Sequence, residues 1–513
     1  IFAGHPALRS ISVISIVGML AVVLVAYTVQ PVLFRLLISG QTARGGYPYT
    51  LAGILNTIYA FVYFLLGCIL LQCYIIVLHL LPLGRSRRKA WFHRAIYGFT
   101  RLFLATMFTT RTRRYNPGGE TFERPAIIVA NHQSFIDILL LLSITPKLVM
   151  VTNSWVWRSP FFGRIVRYAG FRHAADGYEA LTESLRQEIA EGYSVVVYPE
   201  GTRSEDCAIK RFHKGAFLLA EQLGVDILPM LIYGAGYISS KRQPFYIKRG
   251  DLASLVLPRI TPDDTRFGAD VRERAKGVRR YMVARYEELK AFHTDDPRHR
   301  SAVRYNYLFK GPVLEWYIRI KLRLEKRYDT LDKLLPRDAR IVDLGCGYGQ
   351  MVFLLALRGD RRRLLGIDYD AEKIALARHS FLADDRIRFE CADVTTCDLP
   401  EADAFVLNDM LHYIAPEAQE QLLARCAARL TEGGYIVVRE GDSSDRKRHR
   451  MTEETERWSI RILGFNKAGN ALHFISTERM IFMADWLGLH LEVREPGIHT
   501  SNRQYIFRKE ANR

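Results

Sequence analysis

His132 and Asp137, five positions apart, are residues whose types suggest acid–base chemistry. They follow a β-rich run, Pro125–Ala130, and precede the apolar run Ile138–Leu142, so the pattern predicts a strand, a turn and the start of a helix. An imidazole can take a proton from a hydroxyl group, and a carboxylate on its other nitrogen would fix the tautomer. One histidine near one aspartate is more often structural, so the pair alone does not establish catalysis.

A second polar group follows another predicted strand. The run Val195–Tyr198 is β-branched and leads into Pro-Glu-Gly-Thr-Arg-Ser at positions 199–204. Gly201 permits a tight backbone turn, and the planar guanidinium of Arg203 suits a phosphate group. A further strand, Ile227–Met230, contains a proline, which indicates an edge strand or a strand entry.

In this order, the Asn-His-x-x-x-x-Asp motif at 131–137, the Tyr-Pro-Glu-Gly-Thr-Arg-Ser motif at 198–204 and the proline-bearing strand resemble the glycerolipid acyltransferases. That family includes lysophosphatidate acyltransferases, and the resemblance covers roughly residues 85–260. It implies an α/β fold at the membrane surface, His132 as general base and Asp137 as its partner. It implies acyl-CoA or acyl carrier protein as donor, and an acceptor, typically a glycerol phosphate, bound by Glu200, Gly201, Thr202 and Arg203.

Two departures from the family pattern bear on the acceptor. Family members often carry a Lys-Glu pair where Ser154 and Trp155 stand, and an Asp-Arg pair where this chain has the segment 171–174. These changes leave acyl transfer in place but leave the identity of the acceptor open. Substitute cations are available in Lys210, Arg211 and Lys214, although such a run of charge is more often a solvated face.

The last third of the chain contains a glycine-rich turn. The run Arg340–Gly349 predicts a strand that enters a turn with glycines at 345, 347 and 349. Glycines there let the backbone approach a ligand closely. A second strand ends in Asp368, 19 residues beyond the last glycine, and a third ends near Asp393. Strands alternate with helices, which predicts a doubly wound, mostly parallel sheet.

This series resembles the class I S-adenosylmethionine-dependent methyltransferases over roughly residues 335–510. The resemblance implies that the turn beginning at Asp343, with Gly345, Gly347 and Gly349, frames the methionine part of S-adenosylmethionine. It also implies that Asp368 holds the ribose hydroxyls and Asp393 the adenine amine. A pyridine-dinucleotide site is the alternative. His412, which follows a predicted sheet strand, is the candidate base for methyl transfer, or a residue that only shapes the pocket.

Composition and charge bound the remaining possibilities. The 513 residues are 49% hydrophobic and 25% charged, which excludes a wholly disordered chain and a fully polytopic membrane protein. The net charge is +18, and residues 84–310, with 37 basic and 22 acidic side chains, account for most of it. No nucleic-acid-binding motif accompanies this excess, so anionic membrane lipids are the expected partner, and nucleic acid is not. The seven cysteines form no ligand cluster, so no metal site is predicted.

Two apolar segments precede the charged middle third. Ser10–Phe34 is uncharged over 25 residues, and 40 uncharged residues lie between Arg44 and Arg85. Both predict membrane spans, with one buried helical hairpin as the alternative. The arginines that follow the second span predict that the connecting loop is outside and that residues from 84 onward are cytoplasmic. The segment Trp91–Phe108 is either an interfacial amphipathic helix or an ordinary packed one.

The first span resembles the last membrane helix of RND/MMPL-type exporters. Together with a start at Ile1 rather than methionine, this gives the expectation that the chain is part of a longer protein with a transporter portion. The predicted architecture is α/β: two membrane helices at 1–83, an acyltransferase domain at 84–266, a helical linker at 267–334, and a Rossmann-like methyltransferase domain at 335–513.

The predicted function is that of a bifunctional, lipid-modifying enzyme of the inner membrane with its catalytic domains facing the cytoplasm. It would esterify a glycerolipid-type acceptor and methylate a lipid or its acyl chain. The alternative is an exporter-linked module that binds lipid with degenerate, non-catalytic domains.

Overall fold

A computed structural model describes residues 5–43, 46–241, 243, 245–293, 296–308, 310–324, 327–441, 472–494 and 502–510. It divides into two compact units, Ile1–Arg298 and His299–Arg513. Each unit has its own central sheet of seven strands. The α/β fold class predicted from the sequence is confirmed.

The first unit is built around a sheet in the order β1-β7-β6-β2-β5-β3-β4. All neighbouring strands are parallel except β6 and β7. The strands are β1 Thr110–Tyr115, β2 Ala126–Ala130, β3 Leu148–Thr152, β4 Arg172–His173, β5 Ser194–Val197, β6 Asp226–Tyr233 and β7 Gly250–Val256.

Helices cover both faces of this sheet, so that β2 and β6 are buried along their whole length. Such burial explains why these strands have continuous rather than alternating apolar sequences. The helices are α1 Pro6–Thr42, α2 Leu51–Leu80, α3 Arg85–Thr106, α4 Ile136–Leu142, α5 Ser154–Trp157, α6 Gly163–Tyr168, α7 Tyr178–Ala190, α8 Gly215–Leu223, α9 Ala235–Ile238 and α10 Val271–Phe292.

The two apolar helices differ in their surroundings. α1 and α2 are both long and apolar enough to cross a membrane, with mean hydropathies of 2.4 and 2.5 in their most apolar windows. α1 has no buried residue in its most apolar part. α2 instead packs along the first unit, where its Phe64 ring lies edge-on to Phe135 and its Gln72 side chain donates to the carbonyl of Phe161.

The start of α2 and the preceding loop are hydrogen-bonded to the segment before β7. The Thr50 backbone N–H donates to the hydroxyl of Tyr246 at 2.9 Å, and the Ile247 N–H donates to the Thr57 hydroxyl at 2.9 Å. Groups joined by hydrogen bonds cannot lie on opposite sides of a bilayer. The structure therefore places the loop against the domain, whereas the predicted topology separates them by a bilayer; the face of a membrane that each meets stays a prediction.

The segment Trp91–Phe108, left open between two interpretations, lies mostly within α3. Its buried residues include Phe92, Ile96 and Phe103, whereas Trp91 and Leu102 are exposed. α3 therefore packs one face on the unit and leaves apolar side chains on the other.

The second unit has the sheet order β10-β9-β8-β11-β12-β14-β13, with the first five strands parallel and the last two antiparallel to their neighbours. This is the predicted doubly wound arrangement. The strands are β8 Arg340–Leu344, β9 Arg363–Asp368, β10 Ile387–Cys391, β11 Ala402–Asn408, β12 Leu430–Gly441, β13 His490–Arg494 and β14 Asn502–Arg508.

The predicted linker, 267–334, is largely helical. α10 packs on the first unit through Val278, Met282 and Tyr286, and later helices contribute Ile318 and Leu331 to the core of the second unit. The remaining helices are α11 Pro297–Asn306, α12 Pro312–Leu324, α13 Arg327–Leu334, α14 Gln350–Arg358, α15 Ala371–Arg378, α16 Pro416–Arg429 and α17 Thr477–Leu487.

The position of the loop can be tested by labelling. In a background without the exposed Cys73 and Cys391, we expect Ala43→Cys and Ser86→Cys to react with a membrane-impermeant maleimide from the same face of sealed vesicles. Both positions are exposed, one before and one after α2. His5→Cys, at the other end of α1, reports whether that helix crosses the bilayer. Labelling of positions 43 and 86 from opposite faces would restore the topology predicted from the sequence.

Candidate functional sites

His132 and Asp137 form a hydrogen-bonded pair at the carboxyl end of β2. His132 Nδ1 lies 2.9 Å from Asp137 Oδ2, and the same oxygen accepts from the backbone N–H groups of Gln133 and Ser134 at 2.6 and 2.9 Å. Asp137 is fully buried, while the His132 side chain keeps 17% of its surface exposed. The carboxylate thus fixes the imidazole so that its other nitrogen, Nε2, is the one left for chemistry.

The residues of the second motif lie next to this pair because β5 is the parallel neighbour of β2. The Tyr198 ring stacks on the imidazole of His132, with centroids 4.1 Å apart and planes at 20°. Burial, together with the nearby Asp137 carboxylate, raises the pKa of Tyr198 well above its ordinary value. A neutral tyrosine therefore covers one face of the candidate base.

Glu200 links the two motifs through the backbone. One of its carboxylate oxygens accepts from the N–H of His132, and the other accepts from the N–H of Lys210, both at 2.8 Å. The N–H of Ser204 in turn donates to the His132 carbonyl at 2.9 Å. Burial raises the pKa of Glu200, and the two backbone donors act in the opposite direction. These contacts give Glu200 an internal, positioning role.

The rest of the motif is more open to solvent. Gly201 adopts a φ of +67°, a conformation that residues with a side chain rarely take. Gly201 and Thr202 are exposed and Arg203 is half-buried. The structure therefore brings His132, Asp137 and Glu200 into one hydrogen-bonded group and leaves the following three residues along its rim.

Supporting residues that sequence reasoning missed tie this site to β6 and α10. The side-chain amide of Asn131 exchanges two hydrogen bonds with the backbone of Ile232, at 2.9 and 2.7 Å. Gln133 donates to the hydroxyl of Tyr286 at 2.6 Å. Asn131 stands in the first motif, so its place beside His132 was visible in the sequence, but its pairing with β6 required the sheet order.

In the second unit, a cavity of about 590 Å³ lies at the carboxyl ends of the parallel strands. Its lining includes most of the residues singled out in the sequence: Asp343, Gly345, Gly347, Asp368 and Asp393. Gly349 is the N-cap of α14 and has a φ of +78°, and a Cβ there would lie 2.6 Å from the Phe389 ring. A side chain at 349 would therefore disturb the packing behind the turn.

Asp368 fixes the glycine-rich turn. Its Oδ2 accepts from the N–H of Gly347 at 2.8 Å, and its Oδ1 accepts from the N–H of Asp370 at 2.9 Å. Burial and the Asp368 carboxylate raise the pKa of the neighbouring Asp343 well above its ordinary value. Asp393 lies on another side of the cavity, where its Oδ1 accepts from both the N–H and the hydroxyl of Thr395.

These residues fit S-adenosylmethionine. The turn presents backbone rather than side chains to the cavity, as close approach by a ligand requires. The carboxylates of Asp368 and Asp393 line the cavity and can accept hydrogen bonds from hydroxyl and amine groups, and Met351 and Met410 add apolar surface to the same wall. This combination of backbone groups, carboxylate acceptors and apolar surface suits a cofactor that combines a nucleoside with an amino acid.

His412 is placed differently from the cavity residues. Its ring is 2% exposed, its Nδ1 lies 2.6 Å from Glu440 Oε1, and it stacks against Phe474. Among the described residues, the cavity wall contains Asp409 and Tyr413 on either side of it but not His412 itself. Its predicted role as a base stays a prediction, and this geometry favours a part in shaping the wall.

Asp409 is a cavity residue that sequence reasoning passed over. It has a φ of +52° and pairs with Lys321 of α12 at 3.1 Å and with Arg439 of β12. Burial alone would raise the pKa of Asp409, but Arg439 and Lys321 outweigh it and hold that pKa at about 2. Its position directly after β11 was the available signal, since ligands bind at that end of such sheets.

Comparison with known proteins agrees with this division. A sequence model of the family described as Acyltransferase matches residues 109–233, and one described as Methyltransferase domain matches residues 341–434. The first match lies within the first unit and the second within the second unit.

The curated relatives carry the names of acyltransferases. The chain is 30% identical over 145 residues to a 1-acyl-sn-glycerol-3-phosphate acyltransferase of Chlamydomonas reinhardtii, which covers 28% of this chain and 44% of that protein. It is 28% identical over 176 residues to a chloroplastic enzyme of the same name from Arabidopsis thaliana, over 33% of this chain and 46% of that one. The chain therefore spans about half the length of these relatives.

Two solved structures resemble parts of the chain at low overall similarity. The acyltransferase PlsC of Thermotoga maritima is 23% identical, with a TM-score of 0.42 over 47% of this chain and 96% of its own. Human N-acetylserotonin methyltransferase in complex with SAM is 19% identical, with a TM-score of 0.31 over 41% of this chain and 59% of its own.

The ion pairs of Asp409 make a prediction about stability. Asp409→Asn leaves Lys321 and Arg439 without their shared carboxylate, and asparagine tolerates the positive φ. We expect the second unit to lose about 2–4 kcal/mol at neutral pH, or about 5–10 °C in the calorimetric transition of the full chain.

The pH dependence of this loss follows from the depressed pKa. The stabilisation by Asp409 is present above the ordinary aspartate pKa near 4 and is lost as the pH falls towards the folded-state pKa of about 2. The difference between wild type and variant should therefore shrink in acid. Asp385→Asn, at an exposed position, is the control and should change little. A difference that is the same at all pH values would contradict the assignment.

Proposed function

We propose that the first unit transfers an acyl group from acyl-CoA or acyl carrier protein to a hydroxyl of a glycerolipid-type acceptor. The observation that carries this proposal is the His132–Asp137 pair at 2.9 Å, with Asp137 buried and His132 partly open. The match of residues 109–233 to the Acyltransferase family supports it. So do the relatives, which are named 1-acyl-sn-glycerol-3-phosphate acyltransferases.

The chemistry of the pair is general-base catalysis. His132 Nε2 takes the proton of the acceptor hydroxyl as its oxygen attacks the thioester carbonyl. Asp137 stabilises the imidazolium that forms, without itself taking the proton. When the tetrahedral intermediate collapses, the C–S bond breaks and the imidazolium returns its proton to the departing thiolate. The imidazole is regenerated, and the acceptor leaves as an ester.

The acceptor would approach over the loop that Glu200 fastens to His132. Arg203 is half-buried at the rim, and Lys210, Arg211 and Lys214 are exposed cations farther along the same loop. A planar guanidinium and nearby ammonium groups suit a phosphate monoester. These four cations support an anionic lipid acceptor. They could take the place of the cations that other family members carry in the Lys-Glu and Asp-Arg pairs.

We further propose that this unit works at the cytoplasmic face of an inner membrane. The exposed apolar residues of α1 and α2 and the basic excess of residues 84–310 support attachment to anionic lipids. The relation of α1 to an exporter remains a proposal that rests on sequence resemblance alone.

Replacement of the candidate base tests the first activity. With radiolabelled acyl-CoA and a lysophosphatidic acid acceptor, we expect His132→Ala to lower the rate of transfer by about 10²–10⁴-fold, because the hydroxyl loses its proton acceptor. His379→Ala, an exposed histidine in the second unit, should leave the rate unchanged. Wild-type transfer by the His132 variant would remove the catalytic role.

The second unit, we propose, binds S-adenosylmethionine and methylates a lipid or acyl-chain acceptor. When bound, the cofactor supplies an electrophilic methyl group. Asp368 would orient the ribose, Asp393 the adenine amine, and the turn at Gly345–Gly349 the methionine part. Lys321 and Asp409 line the same cavity and would position the acceptor. The cavity, with its glycine turn and its carboxylates, is the observation that supports this proposal.

Calorimetry with S-adenosylmethionine tests the cofactor. We expect saturable binding by the full chain, weakened about 10–100-fold by Asp368→Ala, since hydrogen bonds to a charged group contribute about 1.5–3 kcal/mol. Asp338→Ala, at an exposed position before β8, should bind like wild type. Absence of heat in the wild-type titration would refute the cofactor assignment, and a dinucleotide titration would then test the alternative.

A further inference from the structure

Helix α12 of the second unit has two functional faces. Its inner face packs Leu314, Ile318 and Leu322 into the core. The same face directs Tyr317 and Lys321 into the lining of the cavity. α12 is therefore a wall of the candidate methyltransferase site as well as a structural helix.

The outer face of α12 exposes large apolar side chains. Val313, Trp316 and Ile320 are 53%, 58% and 49% exposed, and their spacing of three and four residues places them on one side of the helix. Single exposed apolar residues are ordinary, but a row of three that includes a tryptophan is typical of an interaction surface.

Positive charge borders this apolar row. The Arg319 guanidinium lies 5.0 Å from the centroid of the Trp316 indole, and Arg323 is exposed one turn on. Residues 310–327 contain six basic and two acidic side chains, although residues 311–513 as a whole carry 32 of each. Positive charge is thus concentrated in this segment of an otherwise balanced part of the chain.

We propose that α12 docks its outer face on an anionic membrane surface, so that the site behind it takes its methyl acceptor from the bilayer. This inference rests on the proposed methyl transfer and adds the class of acceptor: an amphiphile that stays in the membrane while its reacting group meets Tyr317 and Lys321. Apolar residues with tryptophan on one face and arginines beside them are characteristic of helices that lie in the membrane interface.

Anionic lipid is favoured as the occupant by charge and by the chain itself. Arg319 and Arg323 complement negatively charged headgroups, and the same polypeptide carries α1 and α2, which are apolar enough to enter a membrane. A protein occupant, such as a second copy of the chain or the acyltransferase unit, would cover the same row and is distinguished by the experiment below.

Photocrosslinking of the full chain in vesicles tests the docking surface. Ile320 is replaced by p-benzoylphenylalanine, and the matched control carries the same replacement at the exposed Arg361. Arg361 precedes β9 and so lies at the amino-terminal end of the parallel strands, away from the cavity at their carboxyl ends. In vesicles of equimolar phosphatidylcholine and phosphatidylglycerol, we expect several-fold more lipid adduct at position 320 than at 361. The control position accounts for the anchoring of the whole chain.

Charge and protein contacts complete the test. Phosphatidylcholine alone, or Arg319→Gln with Arg323→Gln in the crosslinking chain, should lower the adduct at position 320 towards that at 361. Adducts at 320 with a peptide of the same chain or of a second copy, or a lipid yield no higher than at 361, would overturn the proposal. Titration of the same preparation with S-adenosylmethionine separates the docking proposal from the proposed methyl transfer. Cofactor binding without lipid adducts refutes only the docking. Lipid adducts without cofactor binding refute only the methyl transfer.

Discussion

The Asp137 carboxylate, fully buried, accepts hydrogen bonds from His132 Nδ1 and from the backbone N–H groups of Gln133 and Ser134. All three bonds go to Oδ2, whereas Oδ1 is buried without a hydrogen bond among the described residues, so these three donors are what offsets the burial of the carboxylate. Two of the donors belong to the turn after β2, so the turn can hold its shape only with the carboxylate in place. The shape of the turn and the tautomer of the imidazole therefore have a common cause.

Glu200 extends the same principle to the neighbouring strand. Its two oxygens accept from the backbone N–H groups of His132 and Lys210. Glu200 lies 68 positions after His132 in the sequence, so these hydrogen bonds join the two motifs into one site. In the second unit, Asp368 likewise holds the turn at Gly347. In both units, carboxylates at the ends of parallel strands shape the backbone before any ligand is present.

The predictable part of both sites was the part carried by local sequence. Strand, turn and helix around His132, and the glycine turn with Asp368, each lie within one stretch of chain whose pattern specifies them. What escaped prediction depends on tertiary contacts. To predict that Asp409 rather than His412 lines the cavity, one would have to know the direction of the turn in which Asp409 has a positive φ. The pairing of Asp409 with Lys321 joins residues 88 positions apart in the sequence.

The contacts of the apolar hairpin could not be predicted for a related reason. Hydropathy and flanking arginines describe a segment as if only lipid and water surrounded it. They contain no information about Tyr246 or Ile247, whose hydrogen bonds to Thr50 and Thr57 attach α2 to the domain. Part of the surface of α2 that the sequence rules assign to lipid is therefore in contact with protein.

Those contacts also define how much chain the first unit needs. A version trimmed to residues 84 onward, the natural choice for a soluble preparation, would strip the Thr57 hydroxyl from the N–H of Ile247 and uncover the Phe99 ring that lies against Gly67. The apolar helix α2 is thus a structural part of the first unit. The shortest fragment that keeps its native contacts begins before Thr50 rather than at the arginines that follow α2.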